Sequence, residues 1–519
     1  LSKLPVALDV HRSSISEEEV SMTRLIRTAA ALAAILFLAS TTTAFAATLA
    51  PLATFGGGDG WRAPFEVLTG DAAGTDTGGL YNYLGNAVDS TSVNSGNLER
   101  GLAYNPTTGN LILVSRSPAG AGIGLRILDG ATGDDLGGLN PGSGVISSDG
   151  QFPVNMVGIT DDGVIYVDNL SINNTQPFKA YRWESESSAA PTVAYSGLGP
   201  TSPLNGARIG DTFDVIGSGA DTRLVGGYYH MPVVAGNNSF ALFDTEDGSA
   251  FTASHVTIDS NPPAAGDFRL GITFTDNDTI IGKQGTDASP LGRVVDVVGS
   301  TGTLAMNLES DGASLRPMDF AVVDGRPLLV MLEASPSQEE IARARIFVYD
   351  MTDPTASVAE RKIAEGSNLP FFPGGPNQFQ NINATGSVKF GAINGNVVTI
   401  YAMSTNNGIQ AFELTLDPLP MGNDGDYNGN GVVDAADYTV WRDTLGLDVE
   451  PGTGADGDGD SVIGPGDYDH WVARFGNVVG EGAAAGNGAG VPEPGTLGLA
   501  CLAMLACTGV RRCTRHRSR

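Results

Sequence analysis

A strand, a tight turn and a second strand recur six times along the chain, and this recurrence limits the fold more than any other feature. The six copies are GLAYNPTTGNLILVS, VGITDDGVIYVDN, FDVIGSGADTRLVGG, GITFTDNDTIIGK, FAVVDGRPLLVM and FGAINGNVVTIYA. Their turns centre near Gly109, Gly163, Asp221, Asp278, Gly325 and Gly395, at intervals of 54, 58, 57, 47 and 70 residues. Most units continue into another apolar strand that ends in an acidic turn, as in LRILDGATGDDLGGL, SFALFDTEDGSAFTA and RIFVYDMTDPTASV. No long amphipathic helix interrupts them. Four-strand units at this spacing build a β-propeller more readily than a sandwich. The expected fold is therefore mainly β, a propeller over residues 47–418. It has six blades, or seven if residues 51–99 form more than a closing strand. The segment 384–418 reads one strand short, so 51–68 is expected to supply the missing strand and close the ring. The Asp-Gly and Asn-Gly pairs are hairpin formers first, and their carboxylates are read as turn residues.

Composition agrees with many short strands. Gly makes up 70 of 519 residues, aromatics only 7%, and the glycines follow no repeat of three. Residues 47–490 carry 53 acidic and 20 basic side chains. Such a surface repels nucleic acid and anionic membranes and attracts divalent cations. The three Cys, at 501, 507 and 513, all lie in the tail, so the body has neither a disulfide framework nor a thiol nucleophile. Between leader and tail only His230, His255 and His470 remain. A three-His zinc site is not expected.

Both ends read as addresses. Residues 22–46 place Arg24 and Arg27 before an apolar run, Ala29 to Ala39, and then Ala44-Phe45-Ala46. This is the layout of a secretory signal cleaved between Ala46 and Ala47. Residues 1–21 are read as an over-extended start ahead of Met22. At the other end Pro492, Glu493 and Pro494 precede an apolar run, Leu497 to Val510, and an Arg-rich cluster, Arg511 to Arg519. A run this short is marginal for a bilayer span, and its Arg cluster should stay cytoplasmic. In this order the three parts of 491–519 resemble the PEP-CTERM sorting signal. The resemblance implies recognition by an exosortase, a membrane transpeptidase-like protease. It also implies a C-terminal membrane helix before processing, and export to the cell envelope, cell surface or extracellular matrix.

Two acidic loops, thirty residues apart, precede the tail. The first runs from Asp426 to Asp437 and the second from Asp456 to Asp467. Calcium takes six to eight hard oxygens, and loop positions 1, 3, 5, 7, 9 and 12 supply them. In the first loop these are Asp426, Asn428, Asn430, the Val432 carbonyl, Asp434 and Asp437, with Gly431 at the turn; Asp434 could instead cap the next helix. The second offers Asp456, Asp458, Asp460, the Val462 carbonyl and Asp467. Ser461 replaces the turn glycine there and Gly464 removes the ninth side chain, so the second site should be weaker. Tyr438, Trp441 and Leu445 repeat as Tyr468, Trp471 and Phe475, one face of each following helix. They are read as the small core between two helices.

Aspartate at position 12, in a loop with no entering helix, resembles a type I dockerin repeat, an EF-hand-derived unit. The resemblance spans 422–477 within an expected module of 419–480, and implies Ca2+ at two sites and a cohesin-like partner. The pairs that would help to contact such a partner are Ala435-Ala436 and Pro465-Gly466, where hydroxyl residues are often seen. The plainer alternative is a calcium-stabilised spacer. Residues 481–490 read as a flexible linker.

In the middle domain, NLERGLAYNPTTGNLILVSR, ILDGATGDDLG, NMVGITDDGVIYVDNL and FRLGITFTDNDTIIGKQ resemble an uncharacterised propeller family of exported bacterial proteins with this sorting tail. No activity comes with that resemblance, and phosphate-loop, HExxH and GxSxG motifs are missing. Glu99, Arg100, Arg316 and Asp319 sit beside strand starts, where a propeller faces its channel, and are read as structural charge pairs. The leading reading is an exported, non-catalytic binding or scaffold protein, with an extracellular polysaccharide as one ligand class and no nucleic acid. The alternative is a polysaccharide hydrolase or lyase carrying a dockerin, marked by two carboxylates converging in one pocket with one pKa raised. A third reading is a purely structural scaffold.

Overall fold

The computed structural model describes residues 47–63, 81–84, 98–116, 123–147, 150–172, 175–198, 207–230, 240–258, 268–283, 292–309, 315–334, 344–366, 381, 383–417, 425–428, 432–449 and 452–477. The chain forms two compact units, 1–417 and 418–519. The first unit begins with β1 (Ala47–Pro51) and β2 (Trp61–Arg62). Blade I then follows as β3 (Glu99–Tyr104), β4 (Asn110–Ser115), β5 (Gly124–Asp129) and β6 (Asp135–Gly138). Blade II is β7 (Val157–Ile159), β8 (Ile165–Asp168), β9 (Phe178–Trp183) and β10 (Thr192–Gly197). Blade III is β11 (Ala207–Ile216), β12 (Arg223–His230), β13 (Phe240–Thr245) and β14 (Phe251–His255). Blade IV holds β15 (Thr257–Ile258), β16 (Ile272–Phe274), β17 (Thr279–Gly282), β18 (Gly292–Val298) and β19 (Thr301–Leu308). Blade V is β20 (Leu315–Val323), β21 (Arg326–Glu333), β22 (Ile346–Asp350) and β23 (Lys362–Glu365). Blade VI has three strands of its own, β24 (Gly386–Asn394), β25 (Val397–Ser404) and β26 (Ile409–Leu416).

The first long strand of each blade is the inner one. β3, β7, β11, β16, β20 and β24 each touch the next, and β24 touches β3. The ring therefore closes with six blades. All six turns read from sequence join the inner strand of a blade to the second. Five of them carry a glycine in the left-handed region, at Gly109, Gly163, Gly217, Gly325 and Gly395. The fourth strand of blade VI is β1, antiparallel to β26 with Ala47 opposite Leu416 and Pro51 opposite Phe412. Closure thus uses residues slightly upstream of the expected 51–68, and β2 adds a second short pairing at Trp61 and Arg62.

The core is six apolar clusters, one between each pair of neighbouring blades. A middle strand serves two of them, because side chains alternate across a sheet. Leu111 and Leu113 face blade VI, while Ile112 and Val114 face blade II. Leu328, Val330 and Leu332 face blade VI, while Leu329 and Met331 face blade IV. Both faces are dry, which is why these strands read as unbroken apolar runs instead of alternating ones. Near the axis the inner strands crowd together. A Cβ on Gly271 would lie 1.8 Å from the Arg316 carbonyl oxygen, so only glycine fits there.

The second unit has two helices, Ala435–Thr444 and Pro465–Arg474, each entered from an acidic loop. The halves repeat each other's bonds. Val433 N donates to Asn477 O at 2.9 Å and Ile463 N to Leu447 O at 3.0 Å. Gly476 N donates to Val433 O, and Gly446 N to Ile463 O, both at 2.8 Å. Trp441 Nε1 donates to Gly464 O at 2.7 Å and Trp471 Nε1 to Asp434 O at 3.0 Å. Every partner is displaced by thirty residues, the signature of a pseudo-two-fold pair of loop–helix units. Among the described residues no helix is long and apolar enough to cross a membrane. The apolar run of the tail lies outside those residues.

Candidate functional site

Because the six inner strands run along one axis, position along the strand decides depth in the channel. The strand ends from all six blades line a cavity of about 330 Å³ that includes Asp161, Asp214, Asp319 and Lys389. At the opposite end, residues of blades I, II, III, IV and VI line a second cavity of about 130 Å³, with Arg100, Arg116, Arg208, Arg269 and Asp211. Between them the channel narrows around Met156, Phe213, Met318 and Val388.

In the larger cavity Lys389 Nζ donates to Asp214 Oδ1 and to Asp319 Oδ1, each at 2.7 Å. The ammonium of blade VI thus reaches blade III on the opposite side of the ring. Each carboxylate has a second task. Asp214 Oδ2 accepts from Phe274 N at 3.0 Å and Thr273 Oγ1 at 3.1 Å, and Asp319 Oδ2 accepts from Phe390 N at 2.8 Å. Blades III and IV, and V and VI, are pinned together at the axis this way. Burial pushes the Asp319 carboxyl up to about 6, with the Asp214 charge adding to it and Lys389 opposing. Burial works to lower the Lys389 ammonium, and the two carboxylates outweigh it and hold it above its usual range.

At the opposite end the charges are reversed. Asp211 accepts from Arg208 Nη2 at 2.7 Å and from Arg269 Nε at 2.8 Å. Burial works to raise its carboxyl, and the two guanidiniums hold it below the usual carboxylate range. Arg100 bonds only to Thr385 Oγ1 and Arg116 to Asn155 Oδ1, both neutral acceptors. Arg116 also lies over the Phe152 ring, 3.4 Å from its centroid. The Nε atoms of Arg100 and Arg116 are buried with no hydrogen-bond partner.

The four channel candidates from sequence have different outcomes. Asp319 is ion-paired, with Lys389. Glu99 is fully buried; its Oε2 accepts from Asn406 N at 3.1 Å, and burial pushes its carboxyl up to about 7. Arg316 donates to Ala384 O at 3.3 Å. Arg100 faces the small cavity; Asp211 and Glu99 act on it electrostatically, and its hydrogen bond goes to Thr385 Oγ1. Asp214, Lys389, Arg116, Arg208 and Arg269 were not singled out by sequence. For Asp214, Lys389 and Arg208 the signal was a charged residue inside an inner strand; Arg116 and Arg269 lie just outside strands, and Lys389 and Asp214 are 175 positions apart.

In the second unit Asp437 and Asp467, at loop position 12, gather backbone amides. Asp437 accepts from Asn428 N at 3.0 Å and Asp434 N at 2.7 Å. Asp467 accepts from Gly457 N at 2.7 Å, Asp458 N at 3.0 Å and Gly464 N at 2.5 Å. Asp434 caps its helix, accepting from Ala436 N at 2.7 Å. Carboxylate oxygens of Asp456, Asp458 and Asp460 lie within 4.8 Å of one another, close enough to chelate one divalent cation. Burial and the Asp467, Asp460 and Asp456 carboxylates raise the Asp458 carboxyl, a strain that a cation would relieve. Ser461 has φ +74°, the left-handed conformation that glycine takes at this loop position. Asp426 and Val432 lie in the described part of the first loop, and Val462 is 41% exposed in the second. Asn430 and Gly431 lie outside the described residues, as do Ala46, Pro492, Glu493 and Pro494. Tyr438, Trp441, Tyr468 and Trp471 form one ring cluster between the helices, with centroids 5.1–6.0 Å apart. Leu445 and Phe475 follow the last helical turns and stay half exposed.

Residues 490–512 match the PEP-CTERM protein-sorting motif. The motif implies interaction with an exosortase and export to the cell surface or extracellular matrix. No curated protein matches the chain in sequence. Among solved structures, a DUF4623 family protein from Bacteroides eggerthii DSM 20697 is 16% identical with a TM-score of 0.46, over 62% of this chain and 71% of that one. A luciferin-regenerating enzyme is 10% identical with a TM-score of 0.34, over 62% and 91%. A gluconolactonase from Xanthomonas campestris is 11% identical with a TM-score of 0.36, over 62% and 86%. Likeness at this level transfers no activity. The chain is an exported, PEP-CTERM-tagged six-bladed β-propeller protein.

Proposed function

We propose that the protein works outside the cell as a binding module, its propeller engaging an extracellular glycan and its second unit docking a cohesin-like partner in the presence of calcium. The observation that carries this reading is the pseudo-two-fold pair of loop–helix units. Its bonds repeat at thirty residues, and one loop already gathers three carboxylates. Asp426, Asn428, Asn430, Asp434, Asp437 and the Val432 carbonyl would hold one Ca2+. Asp456, Asp458, Asp460, Asp467 and the Val462 carbonyl would hold the other. The exposed pairs Ala435-Ala436 and Pro465-Gly466 begin the helices and would face a partner. Signal cleavage after Ala46 and sorting at Pro492-Glu493-Pro494 belong to the same reading. Calcium titration of the full chain by calorimetry tests it. Two binding events are expected, one lost in Asp426→Ala/Asp437→Ala and the other in Asp456→Ala/Asp467→Ala. No heat at millimolar calcium would sink it.

A second reading is favoured by Asp214 and Asp319, a glycan hydrolase or lyase. The two carboxylates share one cavity, and one of them is held partly protonated near neutral pH. Each oxygen is 2.7 Å from one ammonium, so the pair is no more than about 5.4 Å apart. That upper bound excludes the wider spacing of an inverting glycosidase pair. Asp319 would be the general acid and Asp214 the nucleophile, once substrate displaced Lys389. Turnover of any acidic or neutral polysaccharide, abolished by Asp214→Asn, would establish it. Inactivity on a broad glycan panel would remove it.

A further inference from the structure

The channel mouth at the strand starts is built unlike the rest of the molecule. The chain carries a net charge of −29, yet four guanidiniums converge here on one lining carboxylate, Asp211. Two of the four, Arg208 and Arg269, are engaged by it. The other two are the most enclosed: Arg100 is 5% exposed and Arg116 3%. Their hydrogen bonds go to neutral oxygens, and each keeps a buried Nε with no acceptor. Asp168, a further carboxylate felt by Arg116, is itself buried. It accepts from Met156 N at 2.7 Å, and burial raises it well above the usual range, toward its neutral form.

Asp211 and Glu99 act on Arg100 from a distance, and Asp211 and Asp168 on Arg116, yet no carboxylate is hydrogen-bonded to either guanidinium and burial outweighs these charges. Burial lowers Arg100 to about 10, and burial with the charge of Arg100 lowers Arg116 to about 8. Both remain cations near neutral pH, and an anion beside them would offset that burial. The cavity also offers neutral hydrogen-bonding groups, Asn155, Asn383 and Thr385. A volume of about 130 Å³ is several waters' worth of space, since one water occupies about 30 Å³ in the liquid. We propose that this mouth is a binding site for an acidic sugar. Arg100 and Arg116 grip the carboxylate in a planar fork, and the amides and hydroxyl meet the sugar's hydroxyl groups. The proposal rests on the propeller being the glycan-binding part and is independent of the calcium loops.

The test uses the full chain, with galacturonate, galactose, sulfate and phosphate compared at one ionic strength. Calorimetry and thermal melting are both read. Galacturonate is expected to bind and to raise Tm, with galactose, sulfate and phosphate at least roughly tenfold weaker, because each lacks either the carboxylate or the hydroxyls. Arg116→Met should weaken galacturonate binding about 10- to 100-fold, the range for losing a hydrogen bond to a charged group. It should also keep or raise Tm, since a buried unpaired cation is gone; a merely structural arginine would lower it. Arg100→Gln is the second variant and decides the matter if Arg116→Met does not fold. Three results would overturn the proposal. One is no binding of galacturonate. Another is equal stabilisation by sulfate or phosphate, an adventitious anion only. The third is unchanged affinity in a folded Arg100→Gln.

Discussion

Replacing Lys389 with Met tests whether the acidic end of the channel is a clamp. Nζ lies 2.7 Å from each of two carboxylates. At an effective dielectric of about 20, each contact is worth roughly 6 kcal/mol of gross Coulomb attraction. Desolvating the three groups cancels most of it, so the intact cluster adds little net stability. Removing the ammonium alone is different. Asp214 and Asp319 stay buried, face one another, and lose their counter-charge, which should cost about 3–5 kcal/mol. Urea melts followed by far-UV circular dichroism at pH 7.5 would read this directly. The loss should shrink at pH 5, because Asp319, already raised to about 6, rises further without Lys389 and takes up a proton. The triple variant Lys389→Met/Asp214→Asn/Asp319→Asn keeps the acceptors for Phe274 N and Phe390 N without charge. It should return to within about 1–2 kcal/mol of wild type. A single variant within 1 kcal/mol of wild type, or a triple no better than the single, would refute the clamp.

Three further outcomes are expected. Glu99 has its folded pKa raised from 4.5 to about 7, so the folded state holds its proton more tightly. Its contribution is present below pH 4.5 and lost as pH rises through 7, and Glu99→Gln should flatten that slope and gain up to about 3 kcal/mol at pH 8 in denaturant melts. Ser461→Gly relieves a serine held in the left-handed region and should stabilise the second unit by roughly 1 kcal/mol in denaturant melts. Deleting residues 47–51 exposes β26 as an edge and should lower Tm and increase light scattering on heating.

What sequence revealed, and what it could not, follows from the range of the physics. Hairpins are local, so turns such as Asn105–Gly109 and Asp324–Gly325 marked six blades in the sequence, while a seventh over residues 51–99 stayed open. Continuous apolar runs such as Leu111–Val114 announced strands buried on both faces. The closing strand was placed a few residues too late, because Ala47–Pro51 adjoins the signal-like segment and carries little alternation of its own. The channel was not legible. Lys389 meets Asp214 only because blades III and VI face one another across a closed ring. The arginines at the other mouth come from four separate stretches, with no spacing rule to connect them. In the second unit, thirty-residue duplication made the loops and the tryptophan pairing readable. It could not show that Asp437 and Asp467 gather the loop amides.

The pairing of β1 with β26 also sets how the propeller meets mechanical load. The chain leaves the ring at Asp417, directly after β26, and continues toward the sorting tail. Tension transmitted from that side enters a strand held on both flanks, by β25 from Val397 to Met403 and by β1 from Ala47 to Pro51. A strand on the rim would peel away one hydrogen bond at a time. Here two ladders must yield together, and Leu414 and Leu416 must leave a dry core. Any load arriving from the C-terminal side would thus fall on a strand reinforced by the other end of the propeller's own chain.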